Sequence, residues 1–266
     1  MADANPPSPG DLAILKLANL AGFTPAISEI KKHRIVGFDS RDARARPFNL
    51  LRTSFAKKLK EEGHRLVGIT SATPSAGKSF LSMNLASSLA RVVDEPVFLV
   101  DLDIRRASLA EEIGLVPERG IESFLEGHVT DLTEIGHRIE GTNLGLFPTV
   151  RRTNNTAELL ASDRFAQMVE ILRNRSEAST ILFDLPPAFA SDDAMISLSH
   201  LDGFILVVDS GKTTRRHILD VLSMLSPTPC LGTILNRYSG GLGDSYGYGY
   251  GGPNYGKYYN REVDDA

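Results

Sequence analysis

The sequence predicts an α/β protein: a doubly wound, mostly parallel sheet flanked by helices, with a flexible N-terminal arm and a Gly/Tyr-rich C-terminal tail. Three observations predict it. Six short segments are apolar on both faces and rich in β-formers, as strands of a sheet covered on both sides must be. Segments with helical spacing alternate with them. One strand runs through a small-residue loop straight into a helix, the junction at which such sheets bind anions.

Taken in order, residues 1–46 read as an arm and linker, partly disordered. The first ten are Pro-rich. Asp11 is placed to cap a short helix from Leu12 to Leu20, ending near Gly22. Residues 23–46 hold no sustained periodicity. The main domain is expected over 47–237. Pro47 suits a helix first turn, and helical spacing continues from Phe48 to Gly63. Strands are predicted at Leu66–Ser71, Val97–Asp101, Leu144–Phe147, Ile181–Asp184, Phe204–Val208 and Leu231–Leu235. Helices are predicted at Lys78–Val92, Asp163–Asn174, Asp192–Ser199 and Thr214–Leu225. Residues 238–266 have little aliphatic content to bury and read as a mobile tail.

Composition narrows the function classes. At 266 residues and 42% hydrophobic content the chain can fill one core, and no apolar run approaches the roughly 18 residues that span a bilayer. The first ten residues lack the basic start and apolar centre of a secretory signal, so a cytoplasmic protein is expected. The single cysteine, Cys230, beside an apolar strand, reads as an inert, part-buried thiol. Residues 1–60 carry a charge of +6 and the remainder -10. That basic end lacks aromatic interleaving, so no nucleic acid is expected as a partner. Six scattered histidines give no zinc spacing, and there is no Gly-x-Ser-x-Gly nucleophile elbow.

The chemistry lies at strand ends. Strand Leu66–Ser71 leads into Ala72-Thr-Pro-Ser75-Ala76-Gly77-Lys78-Ser79-Phe80 at a helix start. Backbone N–H groups converge there, Gly77 allows close approach, Lys78 can reach the β- and γ-phosphates, and Ser79 can ligate Mg²⁺. This is a P-loop arrangement for Mg²⁺ and ATP, with Ala72 where the general pattern has Gly. Asp101 and Asp103 end a second strand, two residues apart and so on one face if the strand continues. Asp184 ends a third. Three carboxylates gathered around Mg²⁺ suit phosphoryl transfer.

All seven tyrosines lie in the last 29 residues: Tyr238, Tyr246, Tyr248, Tyr250, Tyr255, Tyr258 and Tyr259. Gly spacing exposes each phenol, which suits a phosphoacceptor segment. A Gly/Tyr sticker tail for self-association has the same composition, and Tyr238 adjoins the last strand and can pack on the body.

Over residues 47–266 these features resemble the bacterial tyrosine kinases of capsule and exopolysaccharide synthesis. The resemblance rests on Ser71–Ser79, Val100-Asp-Leu-Asp-Ile-Arg105, Phe183-Asp-Leu-Pro-Pro187 and the tyrosine cluster. Lesser matches are Thr156–Leu160, Ser210–Arg215 and Ile234–Asn236. It implies an ATP-dependent autokinase acting in trans on Tyr246, Tyr248, Tyr250, Tyr255, Tyr258 and Tyr259. Lys78 and Ser79 would bind phosphate and metal, Asp103 and Asp184 would hold Mg²⁺, and Asp101 would help activate the phenol. Arg105 would stabilise charge, and Asn236 with Arg237 would lie near the nucleotide. As partners it implies a membrane-embedded polysaccharide chain-length regulator as activator, further copies of the chain, and a cognate tyrosine phosphatase. Arg46, Asn49 and Arg52 stand where such kinases often carry Glu-x-x-Arg-x-x-Arg, so only Arg52 matches. Ser75 and Ala76 replace a frequent Gly and Glu. Two other readings remain: a switch ATPase like the partition and septum-positioning proteins, whose signature lysine is Thr73 here, and a non-catalytic nucleotide-binding scaffold.

Overall fold

The computed structural model describes residues 14–92, 94–150, 153, 155–175 and 178–238. Side chains alternate strictly along the central strands. Leu66, Phe98, Ile181 and Phe204 face one apolar layer, while Val67, Leu99, Leu182 and Ile205 face the other. A period of two with both faces apolar forces helices onto both sides of the sheet.

In chain order the elements begin with β1 (Ala21–Phe23), α1 (Ile27–Lys32), α2 (Arg46–Glu62), β2 (Leu66–Ser71), α3 (Lys78–Leu89) and β3 (Val97–Asp101). Two short helices, α4 (Leu109–Ile113) and α5 (Ile121–Leu125), precede β4 (His137–Ile139) and β5 (Leu144–Phe147). Then come α6 (Thr156–Leu160), α7 (Asp163–Glu170), β6 (Thr180–Asp184), α8 (Asp193–Leu198), β7 (Gly203–Asp209), α9 (Arg215–Met224) and β8 (Cys230–Asn236). The sheet order is β1-β4-β5-β3-β6-β2-β7-β8, parallel throughout except between β4 and β5. Strands β3, β6 and β2 are thus neighbours at the centre, and their carboxyl ends open on one crevice.

All six predicted strands are present within a residue or two of their expected bounds. Two helices stop earlier than expected. α3 ends at Leu89 rather than Val92, and α7 passes at Ile171 into a π-helical turn to Arg175. The expected helix from Leu12 to Leu20 is corrected: Leu17–Asn19 is a single 3-10 turn and Ala21–Phe23 is a strand paired with β4. Leu15, Leu17 and Leu20 are buried against the layer that holds Phe98 and Phe147. Burying these leucines, at about 1.5–3 kcal/mol each, fixes the segment better than a short isolated helix could.

Residues 23–46, read as a linker, also touch the body. Helix α1 packs on α4, and Ile35, Val36 and Ala45 are buried in the layer that holds α3. The Asn84 carboxamide oxygen accepts from the Val36 and Gly37 N–H groups at 2.7 and 3.0 Å. A Cβ at Gly37 would lie 2.4 Å from the Asn84 carbonyl oxygen, so only glycine fits. In α2, Arg52 donates to the Ser88 carbonyl and hydroxyl oxygens at 3.4 Å, and Asn49 accepts from Arg91 at 2.7 Å. Cys230 is part-buried, and burial pushes its thiol pKa up. Arg237 and Tyr238 belong to a separate C-terminal unit, and Tyr246, Tyr248, Tyr250, Tyr255, Tyr258 and Tyr259 lie outside the described residues. Among the described residues no helix is long and apolar enough to cross a membrane.

Candidate nucleotide and phosphoryl-transfer site

The site begins where β2 ends. Its loop turns through two left-handed residues, Ser75 at φ 63° and Gly77 at φ 93°, so that α3 starts at Lys78 with its first amide groups facing the crevice. Ser75 is exposed and Ala76 buried; Phe80 is half-buried, edge-on to Phe48 at 5.8 Å. Gly77 has a second constraint. A Cβ there would meet the Asn236 Nδ2 at 2.2 Å. That nitrogen donates to the Ala76 carbonyl oxygen at 2.7 Å, so Asn236, from the end of β8, braces the loop itself. Arg237 follows with φ 58°.

Lys78 is only 3% exposed, and its Nζ lies 3.7 Å from Asp103 Oδ2. Burying an ammonium is expensive unless it is paired, and Asp103, itself buried, supplies the countercharge. Asp101 and Asp184 are opposite one another in the register of β3 and β6 and are both fully buried. Asp101 Oδ1 accepts from the Asp103 N–H and Oδ2 from the Leu109 N–H, each at 3.2 Å. Burial, followed by the charge on Asp184, pushes the Asp101 carboxyl well above the usual range. Asp184 is also pushed up by burial, against the pull of the Lys78 charge. Its Oδ1 accepts from Ser82 at 2.9 Å, while its Oδ2 is buried without a hydrogen-bond partner.

Ser79 is one turn before Ser82 on α3 and accepts a hydrogen bond from Ser108 at 3.1 Å. An unpartnered buried carboxylate oxygen beside a buried hydroxyl fits a small, hard, oxygen-seeking cation such as Mg²⁺. Among the described residues no three His, Cys, Asp or Glu side chains group to hold a metal, and Asp101 spends both oxygens on backbone amides. Mg²⁺ at phosphate sites commonly takes one or two protein oxygens and fills its octahedron with phosphate and water.

Arg105 is held differently from Lys78. Its Nε donates to Asp193 Oδ2 at 2.9 Å, and the same oxygen accepts from Thr156 at 2.8 Å. Burial pushes the Asp193 carboxyl up, but the hydrogen bonds from Arg105 and Thr156 outweigh it and leave the group below its usual range. Asp193 therefore ties the strand-end loop to α6 and α8, a role the sequence reading missed by treating Asp192 and Asp193 as a helix start. Ser82, Ser108 and Thr149, whose hydroxyl donates to the Asp101 carbonyl oxygen at 2.7 Å, were also missed. Buried hydroxyls carry no sequence signal of their own.

A scan against protein-family models finds no match. Known proteins do match. Tyrosine-protein kinase CpsD of Streptococcus agalactiae is 30% identical over 215 residues, which cover 79% of this chain and 89% of CpsD. EpsB of Ralstonia solanacearum is 29% identical over 210 residues, 78% of this chain; the chain spans only 27% of its length. Among solved structures, the kinase domain of Escherichia coli tyrosine kinase ETK superposes with a TM-score of 0.71 at 25% identity, covering 90% of this chain and 95% of that one. With this fold, this loop and these relatives, the chain belongs to the bacterial tyrosine-protein kinases.

Proposed function

We propose that the protein is an ATP-dependent tyrosine autokinase that phosphorylates the C-terminal tyrosine cluster of another copy and so regulates the polymerisation and export of a capsule or exopolysaccharide. The observation that carries the reading is the convergence of Lys78, Ser79, Asp101, Asp103 and Asp184 at the carboxyl ends of three adjacent strands.

In this reading residues Ser75 to Phe80 cradle the phosphates, with Lys78 on the β- and γ-phosphates and Asn236 beside the nucleotide. Mg²⁺, held by Ser79, Asp103 and Asp184, would supply charge neutralisation on the phosphate oxygens. The tyrosine oxygen attacks the γ-phosphorus, the bond from phosphorus to the β–γ bridging oxygen breaks, and ADP leaves. A phenol with a pKa of about 10 must lose its proton on the way. Asp101 takes it, and burial, by raising its pKa, makes it a better base than an exposed carboxylate. Arg105, steadied by Asp193, offers its terminal amino groups to the charge that develops.

The family supports three partners: a membrane-embedded chain-length regulator as activator, further copies of the chain, and a tyrosine phosphatase that resets the tail. The protein would then act in the cytoplasm, at the inner face of the membrane. Intact-mass spectrometry after incubation with Mg-ATP, beside Lys78→Met, tests the core of this. Successive phosphate additions that map to the tail and vanish in the variant are expected. If no phosphate is gained even with a regulator fragment present, the kinase reading falls.

A further inference from the structure

A groove of about 400 Å³ lies beside the phosphoryl-transfer site, and nothing in the proposed chemistry uses it. Its lining includes Glu29 of α1, Ala107, Glu111 of α4, Val116, Thr149 and Val150. One wall is the strand-end loop itself: the Ala107 N–H donates to the Asp103 carbonyl at 2.8 Å, and Thr149 donates to the Asp101 carbonyl at 2.7 Å. Val116 is 92% exposed at the rim and offers the groove an apolar edge. The groove carries two carboxylates and no cation among its lining residues. Glu29 is shared with Lys32 at 3.1 Å and lies 3.5 Å from His33 Nε2, whereas Glu111 has no ion-pair partner among the described residues.

The chain's own tail offers a complement. Its tyrosines fall into two groups of opposite character. Residues 239–254 hold Tyr246, Tyr248 and Tyr250 with one acid, Asp244, and no base. The run Tyr255-Gly-Lys257-Tyr258-Tyr259-Asn-Arg261 holds two cations, and the acids Glu262, Asp264 and Asp265 follow it. In an extended peptide, residues two apart share a face about 7 Å apart. Tyr259 is the one tail tyrosine with a cation on its own face both before it, Lys257, and after it, Arg261.

We infer that this groove is the acceptor-docking site for residues 255–261 of a second copy, with Glu29 and Glu111 receiving Lys257 and Arg261 and thereby selecting Tyr259 for phosphorylation. The inference rests on the autokinase reading and adds the basis of its site preference. The apolar rim at Val116 and Val150 covers the neighbouring tyrosine ring. Once Tyr259 carries a phosphate, its charge of nearly -2 opposes the same carboxylates, so the groove favours release of product.

A two-copy assay tests this. The enzyme copy has every tail tyrosine replaced by Phe; the acceptor copy is Lys78→Met with its tail intact. Initial phosphorylation rates at Tyr259 and at Tyr246–Tyr250 are read by peptide mass spectrometry. Enzyme carrying Glu29→Lys and Glu111→Lys is expected to lose roughly tenfold at Tyr259, the scale of two part-exposed ion pairs. Its rate at Tyr246–Tyr250 should hold, which also reports an intact fold. If that rate falls too, the single Glu111→Lys enzyme, altered only at an exposed position, is read in its place. An acceptor with Lys257→Glu and Arg261→Glu is expected to restore the rate with the charge-reversed enzyme. Equal rates at Tyr259 from original and reversed enzymes, or no rescue by the reversed acceptor, would overturn the docking inference while leaving the kinase reading intact. Silence at every tyrosine with the original enzyme would overturn both.

Discussion

Glu112 is a carboxylate in an awkward place. It sits on α4, half-buried, with Oε2 lacking a hydrogen-bond partner. Burial, then the charge on Asp184, pushes its pKa up to about 7, against the pull of Arg106. The folded protein therefore binds this proton more tightly than the unfolded chain, whose value is 4.5. Stability from this group is fully present below about pH 4.5 and is lost as pH rises through about 7. Glu112→Gln is expected to raise the melting temperature of the nucleotide-free protein at pH 8 by about 2–4 °C and to do little at pH 5. A larger gain at pH 5 than at pH 8 would contradict this account. The sequence marks Lys78, Ser79 and Asp103 because they fall in recognisable motifs where a strand ends. It is silent on Glu112 and Asp193, whose properties come from burial and from partners 72 to 88 residues distant in the chain for Asp184 and Arg105 respectively.

Helix α3 joins the site to the N-terminal segment. Its first turn holds Lys78 and Ser79, its second places Ser82 on Asp184, and Asn84 carries two buried amides of residues 36 and 37. All but one of its twelve residues are buried, which leaves no polar stripe and explains why an amphipathic pattern did not set its end. Asn84→Ala would orphan two buried N–H groups. We expect a loss of about 2–4 kcal/mol in unfolding free energy, with faster proteolysis near residues 35–37 than at other described loops. Unchanged denaturation would mean that the strap is held by Ile35 and Val36 alone. The short elements β1, β4 and α1 escaped the sequence reading because, unlike the equally short β3 and β5, they are not runs of β-forming apolar residues. Each exists because a neighbour supplies its partner: β4 for β1, β5 for β4, and α4 for α1.

For the molecule as a whole, the decisive contrast is between a body with no tyrosine before residue 238 and a tail that holds all seven. Replacing Tyr246, Tyr248, Tyr250, Tyr255, Tyr258 and Tyr259 by Phe is expected to abolish phosphate uptake while leaving ATP affinity within about twofold, since no tail residue touches the phosphate loop in the proposed mechanism. It should also alter polymer chain length or yield in cells. An unchanged polymer would separate the kinase from export control. Sequence by itself determined the sheet, the phosphate loop and the carboxylates at strand ends, because buried parallel strands and phosphate binding each impose a local pattern of residue types. Only the tertiary structure decided that residues 15–45 fold onto the body, that Asp101 spends both oxygens on backbone amides, and that Asp193 holds Arg105. Those outcomes depend on which distant groups are brought within hydrogen-bond reach and shielded from water, and no local pattern encodes that.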